Sequence, residues 1–139
     1  GTTVGPAPGP VRRRCRARRA GSVTVMDGCL FCQILDGSIL SAEVASSERT
    51  YAFRDISPVA PTHVLVIPRA HIANAADLGP DDGDLLAEMV ATAQGVAASE
   101  GIADSGYRLV FNVGDDAGNL VPHLHLHVVG GRQLGWPPG

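Results

Sequence analysis

Between residues 81 and 99, Leu85, Met89, Thr92/Ala93 and Val96 recur at intervals of three and four, the spacing of one face of an α-helix. Asp81, Asp82 and Asp84 stand at its start, where the helix dipole favours acidic groups, and Gly101 is placed to stop it. Before it, residues 43–46, 51–55 and the β-branched run 63–67 have strand character, and prolines 58, 61 and 68 mark the breaks. These predict neighbouring antiparallel strands. Two more strands are predicted over 107–113 and 122–129, joined by the loop Gly114-Asp115-Asp116-Ala117-Gly118-Asn119. Residues 27–35 predict a short helix, with Asp27 placed to cap it and Asp36-Gly37 to end it. The pattern is α+β with an antiparallel sheet and no internal repeat.

A chain of 139 residues suits one domain with a real core and is too short for two. Charge divides it unevenly. Six of eleven basic residues (Arg12, Arg13, Arg14, Arg16, Arg18 and Arg19) precede Met26, and no acidic residue does. From Met26 onward five arginines face fourteen acids, a formal −9, which argues against non-specific nucleic-acid binding because that needs a basic surface. Residues 1–25, rich in Gly, Pro, Ala and Arg, lack the apolar content to offset ordering entropy and are expected to be disordered, leaving 26–139 as the domain. An acid-free, Arg-rich leader is similar to an organelle transit peptide, but its prolines spoil an amphipathic helix; an expression artefact or sequence upstream of a start at Met26 is the alternative. No apolar run is long enough to span a bilayer, so no membrane partner is expected. Three cysteines do not make a disulfide framework, and a reducing cytoplasm is the default location.

Candidate chemistry concentrates in His123-Leu124-His125-Leu126-His127-Val128-Val129. On a strand, alternate residues share a face, so the three imidazoles would line one side about 7 Å apart while Leu124, Leu126 and Val128 enter the core. A polar outer face of an edge strand explains them poorly, since solvent faces favour Lys, Glu and Thr. A metal-binding face is the stronger rival, because imidazole is a common zinc ligand.

The triad resembles the motif His-φ-His-φ-His-φ-φ of the histidine triad (HIT) nucleotide-binding hydrolases. The resemblance runs from about Cys29 to Gly139 and includes Phe53-Arg54-Asp55-Ile56-Ser57-Pro58, Ala60-Pro61-Thr62-His63-Val64-Leu65-Val66-Ile67-Pro68 and Gly130-Gly131-Arg132-Gln133. The closing Trp136-Pro137-Pro138-Gly139 is similar to the Hint-like branch, the purine nucleoside phosphoramidases. What this implies is a HIT fold of about five strands and two helices, with sheets joined across a homodimer that places Trp136 near the partner's site. It implies hydrolysis of purine nucleoside monophosphates linked to amines, through a nucleotidyl-histidine and without a catalytic metal. His125 would be the nucleophile, a role open to an imidazole because its ordinary pKa near ~6.5 leaves it mostly neutral at pH 7. His127 would hydrogen-bond the phosphate or leaving group and help protonate a departing amine, while His123 and His63 would orient the nucleophile. Asp55 would accept both ribose hydroxyls, Phe31, Ile34 and Ile56 would form the base slot, and Asn112 would contact the phosphate. For Phe31 and Ile34 an ordinary core role is the competing reading.

Cys29-Leu30-Phe31-Cys32 is a CxxC without the βαβ context of a thioredoxin-like redox pair. Some bacterial triad proteins hold zinc with such a pair, and the resemblance implies Cys29, Cys32, His63 and His123 as a closed structural zinc set; unpaired buried thiols are the alternative. His71 reads as a structural hydrogen-bonding residue, Asp115 and Asp116 as loop solvation. One departure stands out: where the family usually has Gly-Gln-Ser/Thr-Val, this chain has Gly118-Asn119-Leu120-Val121, which removes a hydroxyl near the phosphate. Nucleotidyl transfer is disfavoured because the family's transferases carry Gln where this chain has His127. Dinucleoside polyphosphate hydrolysis, or a nucleotide-binding, zinc-stabilised interaction protein with little turnover, are the remaining alternatives.

Overall fold

The computed structural model describes residues 28–139, so the expectations for residues 1–25 and for Asp27 as a cap lie outside the described residues. At the centre lies β3 (Thr62–Pro68), buried at every position because strands flank it on both edges and helices cover both faces. Upstream are α1 (Leu30–Leu35), β1 (Glu43–Ser46) and β2 (Thr50–Arg54); downstream come α2 (Gly83–Ser99), β4 (Tyr107–Val110) and β5 (Leu126–Gly130). The sheet order is β1-β2-β3-β5-β4, with every neighbouring pair antiparallel. This is the α+β arrangement of five strands and two helices anticipated above.

Alternation along the strands sorts the side chains into two cores. Ala52, Val64, Val66, Leu126 and Val128 meet Leu85, Met89, Ala93 and Val96 of α2 on one face. Phe53, Leu65 and Ile67 meet Phe31 and Cys32 of α1 on the other. The polar seam between α2 and the sheet is satisfied: Thr50 and Thr92 share a hydroxyl hydrogen bond of 2.7 Å, and Glu88 accepts from the Ser47 hydroxyl at 2.6 Å and the Arg49 amide at 2.7 Å. Those bonds hold the Glu88 carboxyl below its usual pKa, the Ser47 bond foremost. At Gly130 there is no room for a side chain, for an added Cβ would stand 2.8 Å from Ile102 Cδ1.

Four element boundaries differ from expectation, one of them the end of β4, at Val110 rather than residue 113. The first helix is capped by Cys29, whose sulfur accepts the Cys32 amide at 3.3 Å. A 3-10 turn, Pro80–Asp82, precedes α2, so the helix proper begins at Gly83. The last strand starts four residues later than predicted. Pro122 has no N–H to give the ladder, the His123 amide turns back to the Val121 carbonyl at 2.8 Å, and the Leu124 amide bonds to the Ile72 carbonyl instead. His123 and His125 therefore precede β5, and only His127 lies within it. Among the described residues no helix is long and apolar enough to cross a membrane.

Candidate active site

On the α1 side of the sheet a cavity of about 600 Å³ opens between α1, the end of β2 and the segment leading into β5. Its lining includes Phe31, Ile34, Asp55, Ile56, Asn112, His125 and His127, which the sequence placed in one site, together with Leu30, Leu40, Leu120 and Val121. Phe31 serves both core and cavity, at 4% exposed, whereas Ile56 stands on the rim at 98%. Leu120, the residue that departs from the family motif, is also on the rim, 90% exposed. His63 and His123 are buried behind the cavity.

The hydrogen bonds assign the proton on each ring. His125 Nδ1 lies 2.8 Å from the His123 carbonyl, which can only accept, so Nδ1 carries the proton and Nε2 keeps its lone pair. Phe31 packs edge-on against this ring, 5.2 Å between centroids, and limits its rotation. His63 Nδ1 accepts the Val59 amide at 3.1 Å, so its proton is on Nε2, 2.9 Å from His127 Nδ1. Accepting that proton would put His127's own on Nε2, 3.5 Å from Asn112 Nδ2, and the Asn112 amide would have to turn over to present its oxygen there. His63 thus biases the tautomer of His127, the ring its Nε2 meets. Burial pushes His127 down to about 4, assisted by His125 and His63 and opposed by Asp55. His63 is also lowered by burial, against the pull of Asp55. Both rings are therefore neutral donors near pH 7.

Asp55 lies just past β2, where its amide bonds to the His63 carbonyl at 2.9 Å. Its Oδ1 accepts the Ser57 amide at 2.8 Å, and its Oδ2 is 3.3 Å from His63 Nε2. Distance alone would let Asp55, His63 and His127 hold a metal. The Val59 amide argues otherwise, because a ring accepting at Nδ1 has its proton on Nε2 and no lone pair there for a cation. Arg132, in the Gly-Gly-Arg-Gln motif, donates to the Val59 carbonyl at 2.9 Å and so steadies the loop that orients His63. Nothing in the motif's local pattern points to this role.

A second cluster sits behind the first. Cys29, Cys32, His71 and His123 bring their ligand atoms within 4.8 Å of one another. This corrects the predicted set: His71 takes the place given to His63. His63 is on β3 and meets His127 and Asp55, while His71 follows the strand, where the chain turns under α1 toward the Ile72–Leu124 bond. Here the second nitrogen of His123 has the opposite consequence. Nε2–H donates to the Pro68 carbonyl at 2.9 Å, leaving the Nδ1 lone pair 3.3 Å from Cys29 Sγ and 3.6 Å from Cys32 Sγ. His71 Nδ1 is 3.4 Å from Cys32 Sγ. A tetrahedral zinc with ordinary Zn–S and Zn–N bonds has S···N edges of roughly 3.5 Å, so the four residues fit one. Burial pushes His123 down to about 4 and lowers His71, which keeps both in the neutral form a metal requires.

The chain is similar in sequence and fold to known proteins. A HIT domain model matches residues 37–134. An uncharacterised HIT-like protein of Synechococcus elongatus is 42% identical over 110 residues, 79% of this chain and 96% of the relative. Among solved structures, a HIT family hydrolase from Legionella pneumophila is 50% identical with a TM-score of 0.79, covering 81% of this chain and 100% of its own. A histidine triad protein from Clostridium difficile, 35% identical, superposes with a TM-score of 0.76 over 81% of this chain and 97% of its own. A histidine triad nucleotide-binding protein from Candida albicans, 31% identical, gives 0.68 over 79% and 83%. With these matches and the histidine arrangement, the chain belongs to the HIT domain family.

Proposed function

We propose that this chain hydrolyses purine nucleoside phosphoramidates, releasing the nucleoside monophosphate and an amine through a nucleotidyl-His125 intermediate. The observation that carries the reading is the His125 hydrogen bond: with Nδ1–H held by the His123 carbonyl, the free lone pair on Nε2 belongs to a ring lining the cavity. In the first half, Nε2 forms a bond to phosphorus as the P–N bond breaks. The amine leaves with that electron pair and takes the His127 Nε2 proton, which solvent at the open cavity restores. In the second half, water attacks phosphorus, the P–Nε2 bond breaks, and a proton returns to solvent. One water is consumed, its oxygen ending on phosphorus.

Asp55 would hold the ribose hydroxyls, Phe31, Ile34 and Ile56 the base, and Asn112 with His127 the phosphate oxygens. Leu120 offers no hydroxyl to the leaving group, so discrimination there rests on apolar contact. A zinc held by Cys29, Cys32, His71 and His123 would be closed and structural, tying α1 to the segment before β5 and supplying no catalytic water. Incubation with an adenosine phosphoramidate tests the reading: AMP should accumulate, and an acid-labile nucleotidyl adduct should map to His125. AMP formation without any adduct at His125 would overturn the covalent mechanism.

A further inference from the structure

The proton on His63 Nε2 has two acceptors and can fully satisfy one. His127 Nδ1 lies 2.9 Å away and the Asp55 Oδ2 carboxylate oxygen 3.3 Å away. No alternative proton is available to the ring, because Nδ1 is committed to the Val59 amide. The tautomer of His127 depends on how that one proton is shared. Given wholly to His127 Nδ1, it obliges His127 to carry its own proton on Nε2, aimed past Asn112 into the cavity. Drawn toward Asp55, it weakens that bias. Asp55 itself lines the cavity, and Ser57 occupies only one of its four lone-pair sites.

We propose that Asp55 is a positioning residue that senses the sugar: ribose hydroxyls donating to its carboxylate withdraw it from His63, so that the bound nucleoside itself commits the His63 proton to His127 and sets the donor needed for the departing amine. This deepens the nucleotide reading above and rests on it. The charge-assisted pull of a carboxylate on an N–H is stronger than that of a neutral acceptor, and two hydroxyl donors compete for the same oxygen lone pairs. The sugar then contributes to the rate of the chemical step as well as to affinity. A carboxylate that merely anchored the ribose would act on KM alone.

The test compares adenosine phosphoramidate with its 2′,3′-dideoxy counterpart, in the natural chain and in Asp55→Asn, which keeps the shape and the Ser57 bond. In the natural chain kcat should fall about tenfold on removing the hydroxyls, the rate equivalent of one such hydrogen bond. In Asp55→Asn the ratio of the two kcat values should fall to about one, because the competing charge is gone. An independent readout is the ¹⁵N spectrum of histidine-labelled protein: AMP should move His127 to the pure Nε2–H form, and 2′,3′-dideoxy-AMP should not. Equal kcat values in the natural chain with only KM changed, or the same His127 spectrum with both nucleotides, overturns the proposal while leaving the phosphoramidase reading standing. The spectral difference without turnover supports the proposal and sinks the phosphoramidase. Failure to bind AMP at all overturns both.

Discussion

His63, His123 and His125 are each defined less by their own chemistry than by the partner of the nitrogen facing away from the task. A carbonyl behind His125 leaves a lone pair forward, whereas a donor behind His63 sends a proton forward to His127. Replacing His125 with Ala should abolish turnover yet keep AMP affinity within roughly tenfold, since a nucleophile contributes more to the transition state than to ground-state binding; calorimetric titration with AMP and a turnover assay check both halves. Acid should weaken the fold through His127. Its value of about 4 lies below the ordinary imidazole value near ~6.5, so between those limits the unfolded chain gains a proton that the folded ring refuses. That contribution to stability is whole above about pH 6.5 and is lost as pH falls toward 4. His63, lowered in the same direction, adds to the slope. Thermal melts at pH 7 and pH 4.5 should differ more for the natural chain than for His127→Gln, and an equal difference would show that His127 does not titrate this way. At this scale the triad was legible from its alternation and its flanking motifs. The exchange of His71 for His63 in the metal cluster was not, because both histidines bracket the same strand and only the path of the turn after Pro68 decides which lies under α1.

Short elements here depend on what they pack against. The six residues of α1 are too few to hold a helix by backbone hydrogen bonds alone, and it is kept in place by Phe31 against Phe53 and by the cysteines against His123. If the cluster holds zinc, purified reduced protein should carry about one metal per chain, and Cys29→Ser should lose both metal and thermal stability while keeping measurable activity at low temperature. Metal analysis and melting curves decide this; reduced protein that is metal-free and fully stable would reduce the cysteines to packing. By contrast α2 was readable in advance, since 17 residues repeat one apolar face often enough to identify it. Strand ends were less legible. The start of β5 is set by which carbonyls lie near His123 and Leu124, and that depends on segments distant in sequence.

For the molecule as a whole, the sheet ends in β4, an edge of four residues carrying the partly exposed Leu109, and the C-terminal segment lies beside it through a 2.8 Å bond from Arg108 to the Gly135 carbonyl. Trp136 is 82% exposed there, a large apolar surface without cover. We expect two copies to pair along this edge, as the family resemblance implies, with Trp136 shielded by the partner. Light scattering should give a dimer, and removing residues 134–139 should change amine preference more than stability; a monomer at micromolar concentration would exclude the pairing. Fold class, strand count and the long helix could be read from the chain, because periodicity and the quoted motifs are local properties that burial then obeys. The folded molecule alone settled which nitrogen of His63, His123 and His125 holds the proton, that Arg132 steadies His63 through Val59, and that His71 joins the cysteines. The bonds that set His125 and His63 are close in sequence, two and four positions, whereas those joining Cys29, Cys32, His123, His127 and Arg132 to their partners span 39 to 94 positions, and no local pattern specifies the carbonyl or amide against which a ring will rest.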